Sequence, residues 1–190
     1  MTVEHAAQRA VVVVSGAPAS GKTTLAFPLA SALGWPILSK DLIKECLHDA
    51  LAGPAYDRAY STRLSRAAMQ IIWATATHCP QLVIESDFYL LRFPDTRERL
   101  RALGARVVEV YCDCPVEESA RRYAARGLDR HPCHYRSEIP IERFVAFEPL
   151  AVGPVIRVDT TRAVHIHGLV ERIHTELGAP TPPTAEPGRS

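Results

Sequence analysis

Eight residues near the start of the chain, Gly16-Ala17-Pro18-Ala19-Ser20-Gly21-Lys22-Thr23, have the types and spacing of a phosphate-binding loop, G-x-x-x-x-G-K-[ST]. Gly16 and Gly21 allow backbone angles and a close approach that a Cβ would block. Successive amide N–H groups then converge on one spot, and the helix that follows adds the partial positive charge of its N-terminus. Lys22 supplies a charge for β- and γ-phosphates, Thr23 a hydroxyl for Mg²⁺, and Thr24 a neighbouring hydroxyl for an α-phosphate. Such a loop suits ATP or GTP, and it does not separate kinases from GTPases or motor-type ATPases. The other polar residues must decide.

Three carboxylates stand where they could complete a phosphoryl-transfer site. Asp41, in Ser39-Lys40-Asp41-Leu42-Ile43-Lys44, follows a short apolar run. It can accept the proton of an acceptor hydroxyl, or it can simply favour a helix N-terminus. Lys44, one turn later, could neutralise charge on the group in transit. Glu85 ends the run Leu82-Val83-Ile84 and is the candidate to complete the Mg²⁺ shell; Asp87, two residues on, is a candidate substrate contact. Either could instead cap the loop after the strand. Arg121, Arg122, Arg126 and Arg130 run into a His- and Pro-rich segment, where guanidinium groups could close over a triphosphate or remain a solvated basic face. His131 and His134 are further candidate substrate contacts. Together with Cys112, Cys114 and Cys133 they match no standard zinc spacing.

Alternating strands and helices must position these groups. Val11–Val14 reads as a buried parallel strand, followed by the loop and a helix over 22–33 that Pro28 should kink. A second strand is expected over 35–38, then a helix over 41–51 capped by Ser39. Gly53-Pro54 ends it, and a long helix over 56–77 should bury Leu64, Ala67, Ala68, Ile71 and Ile72, with Thr75 on the same face. Further strands fit 82–84, 106–111 and 155–158, and further helices fit 94–103, a segment from Pro115, and 164–177. Trp35 and Trp73 read as packing residues. The α/β alternation predicts one parallel sheet with helices on both faces and ligands at the carboxyl ends of its strands. The expected organisation is an extension over 1–10, one domain over 11–178 with a lid at about 121–140, and a proline-rich disordered tail over 179–190.

The 190 residues suit a single core, and 22 basic against 21 acidic side chains leave a net charge of +1. That balance disfavours a nucleic-acid partner. No secretory leader or apolar span is read in the chain, and five cysteines without repeated spacing fit reduced thiols, so the expected location is the cytoplasm. The expected partner is a small hydroxylated molecule; oligomeric state is not legible.

The motifs G-A-P-A-S-G-K-T-T, S-K-D-L-I-K, L-V-I-E-S-D-F and R-x-x-x-R-x-x-x-R-H-P give residues 10–178 a resemblance. The chain resembles small P-loop kinases of the chloramphenicol phosphotransferase, zeta-toxin and polynucleotide-kinase type. The resemblance implies a P-loop NTPase kinase fold with five parallel strands in the order 2-3-1-4-5 and an Arg-rich lid. It also implies Asp41 as acceptor base, Lys22 and Thr23 on phosphate and Mg²⁺, Arg122, Arg126 and Arg130 in the lid, and Val158–Thr161 near a purine. The implied activity moves a γ-phosphate to a small-molecule alcohol, antibiotic- or nucleoside-like, in resistance or self-protection. The alternatives are a 5′-hydroxyl polynucleotide kinase, a toxin-like sugar kinase and a non-enzymatic nucleotide switch. Two departures concern the acceptor: Lys44 stands where polynucleotide kinases place Arg, and Ser86-Asp87 where many relatives have Gly-Asn. Shikimate and gluconate kinases share the architecture.

Overall fold

Four consecutive valines form the middle of the central strand, and their side chains divide between two cores. Val12 and Val14 join one apolar cluster, Val11 and Val13 the other. Both faces of the sheet are therefore covered, which is why the run does not alternate with polar residues. The computed structural model describes residues 9–54, 56–135 and 139–178. Its elements are β1 (Ala10–Ser15), α1 (Lys22–Leu33), β2 (Ile37–Ser39), α2 (Lys40–Ala50), α3 (Arg58–Ala76), β3 (Gln81–Glu85), α4 (Thr96–Ala102), β4 (Arg106–Asp113), α5 (Val116–Arg126), α6 (Glu142–Val145), β5 (Val155–Asp159) and α7 (Ile166–Glu176). A single 3-10 turn, Gly127–Asp129, follows α5.

The strands are parallel in the order β2-β3-β1-β4-β5, as expected. Leu25, Ala26 and Leu29 of α1 pack with Leu169 and Ile173 of α7 on one face. Met69, Ile72 and Trp73 of α3 and Leu100 of α4 cover the other. The chain leaving β1 thus turns to one face and the chain leaving β3 to the opposite one. A crevice opens between their carboxyl ends.

Several boundaries moved for identifiable reasons. β2 begins at Ile37, because Trp35 is drawn into the core beside α1. α3 begins at Arg58, not Tyr56, because Asp57 caps it, its side chain accepting from the Tyr60 amide at 2.6 Å. On α3, Leu64, Ala68 and Ile72 are buried, but Ala67, Ile71 and Thr75 are exposed and Ser65, Met69 and Trp73 take their place. The larger Met and Trp side chains set the buried stripe. α1 runs on through Pro28, which lies on its exposed side. α6 was not expected; four residues are too few to show a periodicity.

Arg9 lies inside the fold although an extension was expected there. Its guanidinium donates to the carbonyls of Ala76 and Leu103, at the ends of α3 and α4. The rest of that extension (1–8) and the expected disordered tail (179–190) lie outside the described residues. Glu109, fully buried in β4, accepts from Ser15 Oγ and from the amides of Leu150 (3.0 Å) and Ala151 (2.9 Å). With Tyr111 Oη donating to the Phe147 carbonyl at 2.9 Å, it ties the stretch after α6 to the sheet. All five cysteines are free thiols, and among the described residues no helix is long and apolar enough to cross a membrane.

Candidate active site

The loop between β1 and α1 has the geometry its sequence requires. Gly16 holds φ at +139°, and a Cβ there would lie 2.8 Å from both the Cys112 carbonyl oxygen and Ser20 Oγ. Gly21 is at +91°, and Ala19 also adopts a positive φ, +58°. Thr160, just beyond β5, braces the loop by donating from Oγ1 to the Ser20 carbonyl at 2.6 Å. Lys22 Nζ donates to the Ala17 carbonyl at 2.7 Å, and Ser20 Oγ is buried with no protein partner. Pro18, Ala19, Gly21, Lys22 and Thr23 border a cleft of about 380 Å³; Gly16, Ala17 and Ser20 are buried. Such an anion cradle is what phosphate binding needs.

Across the crevice the three predicted carboxylates come together. Ser39 caps α2 by accepting from the Leu42 amide at 3.4 Å, and its hydroxyl also donates to Glu85 Oε2 at 2.5 Å. Glu85 Oε1 accepts from Thr23 Oγ1 at 3.4 Å. Burial raises the Glu85 carboxyl above its usual range, against the pull of Lys22. A hydroxyl beside a buried carboxylate is a hard-oxygen pair of the kind Mg²⁺ takes, so Thr23 and Glu85 fit that ion.

Asp41 and Asp87 are joined through Lys40. This lysine is only 4% exposed, bonds Asp87 Oδ1 and stands 3.4 Å from Asp41 Oδ1. Burial works against its charge, but the two aspartates more than compensate and raise its pKa. Burial likewise pushes Asp41 upward, yet Lys40, His134, Lys44 and Lys22 outweigh it and hold the carboxyl well below the usual range. Asp87 is lowered too: burial pushes it up, but Lys40, by charge and hydrogen bond, and Lys22 together outweigh that. Asp41 is therefore an ionised hydrogen-bond acceptor facing the cleft, with half its side chain accessible from it. Lys44 also lines the cleft, donating to Ser61 Oγ at 2.8 Å; burial lowers its pKa, with Lys40 and Arg92 adding to the effect.

The predicted lid does not act as one block. Arg126 and Arg130 line the cleft, and Arg130 stacks 3.9 Å from the Tyr123 ring centroid with one terminal nitrogen buried and unpaired. Arg122 does not reach it. Glu118 holds Arg122 Nε at 2.7 Å, and Arg122 donates onward to the Thr160 carbonyl at 3.1 Å. The i,i+4 acid on the same helix was the signal that could have placed Arg122 elsewhere. Arg121 is exposed on the same glutamate. His134 borders the cleft, held by Glu45 at 2.8 Å, but His131 does not; it meets Asp49 at 3.0 Å beside His48 and ties the lid to α2.

A second cavity, about 490 Å³, meets the first at Ala19, Gly21 and Arg126, and is bordered by Thr24, Arg122, Thr160 and Val164. The loop thus lies between two spaces, with the exit of β5 on one side and Asp41 on the other. Sequence reasoning missed Lys40, although it is one of only three lysines and adjoins Asp41. It also missed Tyr89, Arg92 and Arg143 on the cleft wall, which come from irregular or short segments.

The model of one protein family, described as an AAA domain, matches residues 11–148. No curated protein matches the chain. Among solved structures, a candidate kinase from Chloroflexus aurantiacus is 28% identical with a TM-score of 0.78, the match covering 90% of this chain and 99% of that one. The APS kinase of Mycobacterium tuberculosis, in complex with AMPPNP and APS, is 18% identical at TM-score 0.59 over 90% of this chain and 99% of its own. The shikimate kinase of Acinetobacter baumannii, in complex with shikimate, is 19% identical at TM-score 0.58 over 88% and 93%. These likenesses show the P-loop kinase fold. With the loop, the strand β1 that leads into it and the Arg-rich segment inside the matched span, the chain belongs to the AAA domain family.

Proposed function

We propose that the protein is a cytoplasmic kinase that transfers the γ-phosphoryl group of ATP or GTP to a hydroxyl of a small molecule. The observation that carries this reading is Asp41, an ionised carboxylate on the cleft wall facing a phosphate cradle, with Lys22, Lys40 and His134 around it. A nucleotide switch has no use for a proton acceptor there.

In this reading the nucleoside enters by the second cavity and the triphosphate crosses the loop into the cleft. The amides of residues 16–23 and Lys22 hold the β- and γ-phosphates, and Arg126 and Arg130 meet the equatorial oxygens, where charge accumulates. Thr23 and Glu85 would hold Mg²⁺, which when bound would neutralise phosphate charge. The acceptor hydroxyl donates its hydrogen bond to Asp41. As its oxygen bonds to the γ-phosphorus and the bond to the leaving diphosphate breaks, the proton passes to Asp41. A strongly acidic Asp41 suits a loose transition state, which needs an oriented hydroxyl more than an early deprotonation. Asp87 and His134 are candidate contacts to the acceptor.

The test is transfer of γ-label from ATP or GTP, with Mg²⁺, to the antibiotic-like and nucleoside-like alcohols that the resemblance suggests, acting in resistance or self-protection, and to sugar acids, shikimate and 5′-hydroxyl oligonucleotides. A labelled small molecule supports the reading. Label only on oligonucleotides, or hydrolysis without any labelled acceptor, counts against it.

A further inference from the structure

The cleft is far more basic than the chain. Eight lysines and arginines border it against Asp41, Glu85 and Asp87, while the whole protein carries only +1. Five of these cations already have a partner or, in the kinase reading, a phosphate to hold. Lys40 holds the two aspartates, Lys44 bonds Ser61, and Lys22, Arg126 and Arg130 surround the phosphate cradle. Arg58, Arg92 and Arg143 are left over. They come from three separate places, the first residue of α3, the loop between β3 and α4, and α6. None of the three touches the second cavity, and among the described residues none pairs with a carboxylate.

Five arginines outside this cleft do have an acid partner: Arg99, Arg121, Arg122, Arg157 and Arg162. Unpaired guanidinium groups that border one cleft raise its positive potential, and a bound anion relieves it. Burial is the main reason that the Lys44 pKa is lowered, and the charge of Arg92 adds to it. Aromatic side chains line the same cleft, and one of them lies beside Arg143. Arg143 lies 5.5 Å from the Tyr89 ring centroid, Tyr89 packs on Phe147, and Tyr56 packs on Tyr135. A planar guanidinium offers two-point contact to a phosphate, sulfate or carboxylate, and the nearby ring helps to orient that of Arg143.

We propose that the acceptor is a small hydroxyl compound carrying an anionic group, which Arg58, Arg92 and Arg143 receive at the end of the cleft away from the nucleoside. This rests on the kinase reading above, because the nucleotide must account for the cations at the loop. It narrows the acceptor class: neutral alcohols lack the group that these arginines hold.

The test loads the full-length protein with Mg²⁺ and a non-hydrolysable ATP analogue, so that the loop is filled, and titrates inorganic phosphate by calorimetry, with sulfate and acetate in parallel. The expected result is one saturable phosphate site. In the Arg92→Gln/Arg143→Gln double variant it weakens by about tenfold or more, while affinity for the analogue changes by less than about twofold. Preference for phosphate and sulfate over acetate assigns a phospho- or sulfo-acceptor, and the reverse order assigns a carboxylate; both support the proposal. If the double variant fails to fold, each single variant, at a solvent-facing position, carries the same test. No saturable site for phosphate, sulfate or acetate in the analogue-loaded protein, or one unchanged in the variants, overturns the proposal and leaves the kinase reading standing. Failure of the analogue itself to bind overturns both. Displacement of phosphate by a short 5′-hydroxyl oligothymidine that binds far more tightly would assign the arginines to nucleic acid and overturn the small acceptor.

Discussion

Replacing Asp41 by Asn separates the two roles this residue could have, because shape is kept and charge is lost. In the fold the change costs little. The contact at risk is Lys40 Nζ to Asp41 Oδ1 at 3.4 Å, with the Asp41 side chain 51% exposed, and Lys40 keeps its bond to Asp87. A half-exposed pair of this kind contributes below about 1 kcal/mol, so the melting temperature by circular dichroism should move by no more than about 4 °C. Nucleotide affinity should hold or tighten, since a carboxylate within the field of Lys22 and Lys40 no longer repels phosphate. Turnover should collapse. Loss of the proton acceptor removes about 10²- to 10⁴-fold from kcat, on the order of 3–5 kcal/mol of barrier. The assay is γ-label transfer to the acceptor found with the wild type, alongside a fluorescent-nucleotide titration. A kcat loss below about tenfold, or a parallel loss of stability and nucleotide binding, would refute the reasoning and make Asp41 a helix-start residue.

Gly16→Ala should abolish nucleotide binding as read by the same titration, because its Cβ would lie 2.8 Å from the Cys112 carbonyl at a φ of +139°; normal affinity would show that the loop tolerates the shift. Glu109→Leu leaves Ser15 and the amides of Leu150 and Ala151 without their buried acceptor. Urea unfolding should record a loss of about 3 kcal/mol or more, and an unchanged midpoint would contradict the tie. Lys40→Met should destabilise within a defined pH window. Asp41 and Asp87 are lowered, so their contribution is present above the unfolded carboxylate pKa of about 4 and fades as pH falls toward the folded values; Lys40 is raised, so its contribution is present below about pH 10 and fades above it. The variant should therefore differ most from wild type between those limits, and a deficit of equal size at every pH would contradict an electrostatic role.

Much of the architecture and half of the site were legible in the order of residue types. The valine run, the two-glycine loop with Lys22 and Thr23, and the acids ending short strands are local signals, set by backbone sterics and by the burial of both sheet faces. From these came the five strands, the parallel sheet and the meeting of Asp41, Glu85 and Asp87 beside the loop, while the strand order was implied only by the family resemblance. Contacts between distant segments are not local, and there the tertiary structure decided. Arg122 and Arg126 are four residues apart on one helix, yet Glu118 and the Thr160 carbonyl hold the first at the second cavity while the second faces the cleft. Lys40 reads as a surface lysine at a helix start until folding buries it between Asp41 and Asp87. Arg58, Arg92 and Arg143, from α3, a loop and a four-residue helix, border one cleft only once the chain has folded. Spacing along the chain governs which atoms a backbone turn can gather, but the field in a cleft depends on charges summed across elements far apart in sequence.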